Sequence, residues 1–248
     1  MPCSYRHTYH IDTRDLDCFD ACRPSAVLGY LQDAAGLAAE EFGGANPQMV
    51  AKYRHCWMLA RVKFTLDRPL RLHDALEIHT WHRGGGGPVS YRDSDLLVDG
   101  RAVGQALASW VLADLDTRAL ARMSDFPEMQ GTDGGPLNRS THLRALHLPS
   151  GLPVAERRAL HYSDLDANGH VNNTRYADLL CDALALQKAP EGAFVTELQL
   201  NYLKECRAGE TLTLRAAWNG DQGLASGVDG DGTARFTGLL GLSRKSQE

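Results

Sequence analysis

Residues 164–183 read DLDANGHVNNTRYADLLCDA, and residues 15–34 read DLDCFDACRPSAVLGYLQDA. Laid over one another without a gap, both open on Asp-Leu-Asp and close on Asp-Ala, with apolar positions roughly matched between. In the later copy Ala177, Leu180, Cys181 and Leu184 recur at helical spacing, and Asn172 or Asn173 is placed to cap the first turn. In the earlier copy Val27, Leu28, Leu31, Ala34 and Ala35 do the same. Each copy therefore predicts a strand end, a short loop and then a helix.

A second pair of matching pieces follows. ARVKFTLDRPLRLHDALEIHT from Ala60 lies over TELQLNYLKECRAGETLTLRA from Thr196. Val62, Phe64 and Leu66 answer Leu198, Leu200 and Tyr202, while Leu76 and Ile78 answer Leu212 and Leu214. This alternation has period two, so each piece predicts two strands joined by a turn near His73-Asp74 or Gly209-Glu210. The offset falls from 149 to 136 between the two pairs, so the second copy has lost 13 residues between helix and strands. Further strands are expected in VSYRDSDLLVDGRAVGQALASWVLADLD, with Asp99-Gly100 as a hairpin turn. Their C-terminal counterpart, LASGVDGDGTARFTGLLGLS, is shorter and richer in Gly. Two copies of a helix followed by an antiparallel sheet make an α+β architecture, and two such units can pair within one chain as a built-in dimer. The expected organisation is a first half over 1–125, a Gly- and Pro-marked linker over 126–155, and a second half over 156–248.

Composition narrows the function classes. No apolar run approaches the roughly 18 residues that span a bilayer, and the N-terminus has neither a signal-peptide core nor a transit-peptide pattern. Six scattered cysteines, without C-x-x-C pairs, predict reduced thiols and a cytoplasmic location. A formal charge of -5 argues against a nucleic-acid partner. Gly84 to Gly87 is not a phosphate cradle, because no Lys-Ser or Lys-Thr follows and a strand comes next.

The polar cluster in DLDANGHVNN has two readings. Asp164, Asp166, Asn168 and Gly169 could open a calcium loop, but position twelve would be Arg175 where the metal needs a bidentate Glu. A hydrolytic site is the alternative. Hydrolytic attack on an acyl carbon needs an activated water, donors aimed at the oxyanion and an orienting network. Asp166 or Glu205 can take a proton, His170 can be held in one tautomer, and Asn168 can donate or accept. Since the segment leads into a helix, N–H groups around Val171 to Asn173 are expected to face the same place. No metal or other cofactor is required. Strict alternation puts Cys206, not Glu205, on the face of Leu198, Leu200 and Tyr202, so a Cys206 nucleophile stands as an alternative to a Glu205 base.

HYSDLDANGHVNNTRYADLL, LQLNYLKEC, WMLARVKFTLDRPLRLHDALEIHTW and ASWVLADLDTR resemble the acyl-acyl carrier protein thioesterases, from about residue 5 to about residue 243. The resemblance implies a tandem hotdog fold, two long helices each wrapped by an antiparallel sheet. It implies hydrolysis of fatty acyl-acyl carrier protein (acyl-ACP), the step that ends fatty acid synthesis, with the acyl phosphopantetheine thioester on the carrier protein as substrate. Asp166, Asn168, His170 and Glu205 match the family's site residues. In the first copy Asp17 answers Asp166, but Phe19 stands at Asn168 and Ala21 at His170, so only the second half carries the site and the first is free to hold the acyl chain. Candidate lining positions are Val27, Leu31, Trp57, Leu59 and Trp110. Two readings stand beside this one: an acyl-CoA thioesterase, and a hotdog module that binds acyl chains without cutting them. The intrachain pair could itself form a homodimer.

Overall fold

The computed structural model describes residues 4–126 and 143–243, so most of the expected linker lies outside the described residues. The described chain divides into two compact units, one of residues 4–10, 29–64, 74–126 and 143, the other of 11–28, 65–73 and 144–243.

In the first unit, strands β1 (Ser4–His10), β2 (His55–Leu66, its last two residues counted with the second unit), β3 (Ala75–Gly86), β4 (Val89–Val98) and β5 (Arg101–Asp114) stand in the order β1-β3-β4-β5-β2. The pairings β1 to β3, β3 to β4 and β4 to β5 are antiparallel. Asp99 and Gly100, both at positive φ (51° and 71°), close the β4–β5 hairpin as an Asp-Gly pair predicts. Helix α1 (Pro24–Glu41), whose residues 24–28 are counted with the second unit, follows the expected spacing, and Val27, Leu28, Leu31, Ala34, Ala35 and Ala38 are buried along it. Helix α2 (Asn46–Tyr53) occupies the stretch the second copy lacks. Its Met49 packs with Leu112 and Phe126, and Trp57 leans on that cluster while its indole N–H donates to the Gly44 carbonyl at 2.9 Å.

The second unit holds β6 (Val154–Ala159), helix α3 (Arg175–Ala183), β7 (Phe194–Tyr202), β8 (Thr211–Asn219), β9 (Gln222–Val228) and β10 (Ala234–Ser243), its strands ordered β7-β10-β9-β8-β6. The Gly-rich C-terminal segment does form strands. Its glycines give the helix room: a Cβ on Gly238 would stand 2.9 Å from Leu180, and one on Gly223 would stand 2.5 Å from Leu184. Helix α3 is shorter than the repeat suggests. It stops where Ala185 turns left-handed (φ 52°) and where the Trp218 indole N–H takes the Leu184 carbonyl.

The two strands of each matched piece are not neighbours, which corrects the expectation of a simple turn. β4 and β5 lie between β2 and β3, and β9 and β10 lie between β8 and β7. The connections 67–74 and 203–210 are therefore crossovers, and the positive φ of His73 (70°) and Gly209 (86°) lies at equivalent points in them. Glu205 sits in the second.

Candidate active site

The loop before α3 is built on one carboxylate. Asp166 Oδ1 accepts the backbone N–H of Asn168 at 2.8 Å and of His170 at 3.3 Å, and the Asp166 N–H donates to the His170 carbonyl at 2.8 Å. Gly169 takes the positive φ (73°) that this tight loop needs. The first copy folds the same way. Asp17 Oδ1 accepts from Phe19 and Ala21 at 2.8 and 3.1 Å, and the Asp17 N–H donates to the Ala21 carbonyl at 2.8 Å. Longer-range bonds repeat too: Val171 N–H to Cys206 carbonyl matches Cys22 N–H to Leu70 carbonyl, and Asn172 N–H to Asp164 carbonyl matches Arg23 N–H to Asp15 carbonyl. What differs is only what the frame carries.

In the second copy it carries His170, whose Nε2 lies 3.3 Å from Glu205 Oε2. Arg207 closes a triangle, with Nη2 at 2.7 Å from His170 Nε2 and 3.0 Å from Glu205 Oε1. A guanidinium only donates, so in this arrangement Nε2 is the acceptor and the imidazole proton belongs on Nδ1. Both acidic and imidazole side chains are partly open to solvent, at 42% and 28% exposure, which suits a substrate-facing site. Asn168 is exposed on the same loop, its Nδ2 a loose 3.4 Å from Asp166 Oδ2.

Arg207 is a functional candidate that its own sequence context does not mark, and only the repeat points to it. At the repeat offset it answers Arg71, which donates to the backbone carbonyls of Phe19 and Asp20, both at 2.9 Å. The same cation that braces the loop in one copy faces an imidazole and a carboxylate in the other.

Two expectations change. The Val171 and Asn172 N–H groups do not face a substrate, since each is bonded within the frame at 2.8 Å, and the Thr174 N–H donates to Asn172 Oδ1. Cys206 is fully buried, as alternation indicates, and burial pushes its thiol up from the ordinary range. It packs by Tyr176, which lies edge-on to Tyr202 and Phe236. Glu205 escapes the alternation because the ladder with β10 ends at Tyr202 and the chain beyond turns as a crossover.

Residues 2–128 match the family model described as the acyl-ACP thioesterase N-terminal domain, and residues 154–228 match the C-terminal domain. The chain is 28% identical over 274 residues to oleoyl-acyl carrier protein thioesterase 1, chloroplastic, of Arabidopsis thaliana, covering 99% of this chain and 74% of that protein. Of other curated relatives it spans 60% or 52%. Among solved structures, the 12:0-ACP thioesterase from Umbellularia californica superposes with a TM-score of 0.86 at 18% identity, covering 99% of each chain. An acyl-ACP thioesterase from Bacteroides thetaiotaomicron does so with 0.80 at 18%, covering 97% of this chain and 98% of that one. The fold is the tandem hotdog, and with both halves matched in chain order the protein belongs to the acyl-ACP thioesterase family.

Proposed function

We propose that the His170–Glu205–Arg207 triangle, with Asn168 beside it, hydrolyses the thioester of a fatty acyl-acyl carrier protein by direct attack of water. The observation that carries this reading is the Glu205 carboxylate 3.3 Å from His170 Nε2, while the neighbouring Cys206 is turned into the core. Glu205 takes a proton from water as the oxygen adds to the acyl carbon. The tetrahedral oxyanion is met by donors that remain at the site, the Asn168 amide and the Arg207 guanidinium. Collapse breaks the carbon–sulfur bond, and the thiolate of the carrier arm leaves with the proton held by Glu205. The products are a fatty acid and the free carrier thiol. Asp166 acts as a positioning residue, because its oxygens hold the loop and Asp17 does the same where no chemistry is carried. A buried thiol with a raised pKa is a poor source of thiolate, so Cys206 is packing.

The carrier protein, not coenzyme A, is the proposed donor of the acyl arm, and the cytoplasm the proposed location. Support for a reducing compartment comes from the described cysteines Cys18, Cys22, Cys56, Cys181 and Cys206, all free. With a net charge of -5, attraction to an acidic carrier must come from local cations such as Lys204 and Arg207, exposed at the site. Comparing one acyl chain on carrier protein and on coenzyme A tests this. Higher kcat/KM on the carrier, falling more steeply with added salt, is expected. Equal salt sensitivity with higher efficiency on the coenzyme A ester would assign the enzyme to acyl-CoA.

A further inference from the structure

The site leaves one question of construction: Glu205 lies past the end of β7, beyond Tyr202, the last residue of that strand paired to β10, so something other than the strand ladder must fix it. The structure assigns that task to Arg235, which we propose as the positioning residue for Glu205; the inference rests on the reading of Glu205 as the base.

Arg235 grips the crossover from both sides. Its backbone carbonyl accepts the N–H of Leu203 at 2.9 Å and of Lys204 at 3.1 Å, a doubled bond that turns the chain out of the ladder. Its guanidinium Nη1 then donates to the Glu205 carbonyl at 2.5 Å. Three consecutive residues are thereby tied to one. The guanidinium itself is held in place, with Nε donating to Asp229 Oδ2 at 2.9 Å and Nη2 lying 3.6 Å from Glu210 Oε2. Its side chain is only 12% exposed, as is that of Asp229. Asp229 is in turn fixed by the β9–β10 turn, its Oδ1 accepting the N–H of Thr233 at 2.9 Å and of Asp231 at 3.0 Å. The Thr233 N–H, the Arg235 guanidinium and the Asp231 N–H hold the Asp229 carboxyl below the usual aspartate range, so it stays ionised at neutral pH. The planar fork matters here, because a carbonyl, a carboxylate and a second carboxylate are met from three different nitrogens of one rigid group. Arg235 touches neither His170 nor Arg207 in the described contacts, so its influence on the chemistry runs through the main chain of Glu205.

The test is a comparison of Arg235→Gln and Arg235→Lys, each made in the wild-type and in the Glu205→Gln full-length enzyme and assayed on acyl-ACP. In the wild-type background Arg235→Gln should lower kcat about tenfold to a hundredfold, the scale of a misplaced reacting group, with KM changed less than about twofold. Arg235→Lys should recover part of the loss. In the Glu205→Gln background either change should alter kcat by less than about twofold, because the group being positioned is already gone. The same fold-loss in both backgrounds, or no loss in either, overturns the assignment. Should Glu205→Gln itself turn over at the wild-type rate, the base is wrong and the positioning role falls with it; a crippled Glu205→Gln with independent Arg235 losses sinks the positioning role alone. Thermal unfolding of each variant identifies any that do not fold, and if Arg235→Gln is one of them the Lys pair supplies the same comparison.

Discussion

Asp17 and Asp166 make the same bonds in two loops of which one carries a candidate active site, and this separates frame from chemistry residue by residue. A carboxylate that accepts two backbone N–H groups stabilises a loop by about 1–2 kcal/mol, by analogy with helix caps and other local side-chain bonds. Asp17→Ala and Asp166→Ala should therefore destabilise by similar amounts in urea unfolding, and only Asp166→Ala should also reduce kcat. Loss of activity from Asp166→Ala without loss of stability would show that this carboxylate takes part in the reaction. Asp166, Asn168, His170 and Glu205 were all legible in the sequence as chemistry-bearing types. Arg207 was legible in principle through its partner in the repeat, Arg71, but a lone arginine in a polar stretch carries no signal by itself. The bonds that occupy the Val171 and Asn172 N–H groups were not legible, because their acceptors, Cys206 and Asp164, are reached by folding and not by spacing.

At the scale of elements, hydrophobic period revealed α1, β2, β3, β7 and β8, and turn chemistry revealed the β4–β5 hairpin. Strand order stayed hidden. Pairing partners are chosen across the chain, and β9 and β10 gave a weak pattern since glycines replace the side chains that would show it. Those glycines have packing reasons that can be measured. A Cβ at Gly227 would meet the Phe236 ring at 2.3 Å, and that ring is fully buried, so Gly227→Ala should cost about 1–3 kcal/mol through forced repacking. Gly36 in α1 is exposed and has nothing within 4 Å of a built Cβ, so Gly36→Ala should add about 0.5–1 kcal/mol by restricting the unfolded chain. Urea midpoints that move in opposite directions at unchanged slope would bear this out; a neutral Gly227→Ala would mean the sheet relaxes there at little cost.

For the molecule as a whole, duplication explains why so much could be read in advance. One helix-and-sheet plan is written twice, and departures between the copies fall at the candidate site: Phe19 against Asn168, Ala21 against His170, Pro69 against Glu205. The copies share their loop frame, their crossover and an arginine at the same point of it, and differ in whether that arginine meets loop carbonyls or a mounted acid and imidazole. The central claim is that Glu205, mounted beside His170, activates water and that no protein thiol is acylated. The most direct measurement is turnover of acyl-ACP by Glu205→Gln, His170→Ala and Cys206→Ala, with the wild type quenched early and its protein mass recorded. Glu205→Gln and His170→Ala should each lose at least about a hundredfold in kcat, the low end for general acid–base catalysis. Cys206→Ala should retain most of its activity, the quenched enzyme should carry no acyl mass, and chelator should have no effect. An acyl group trapped on Cys206, together with near-normal turnover by Glu205→Gln, would contradict the account.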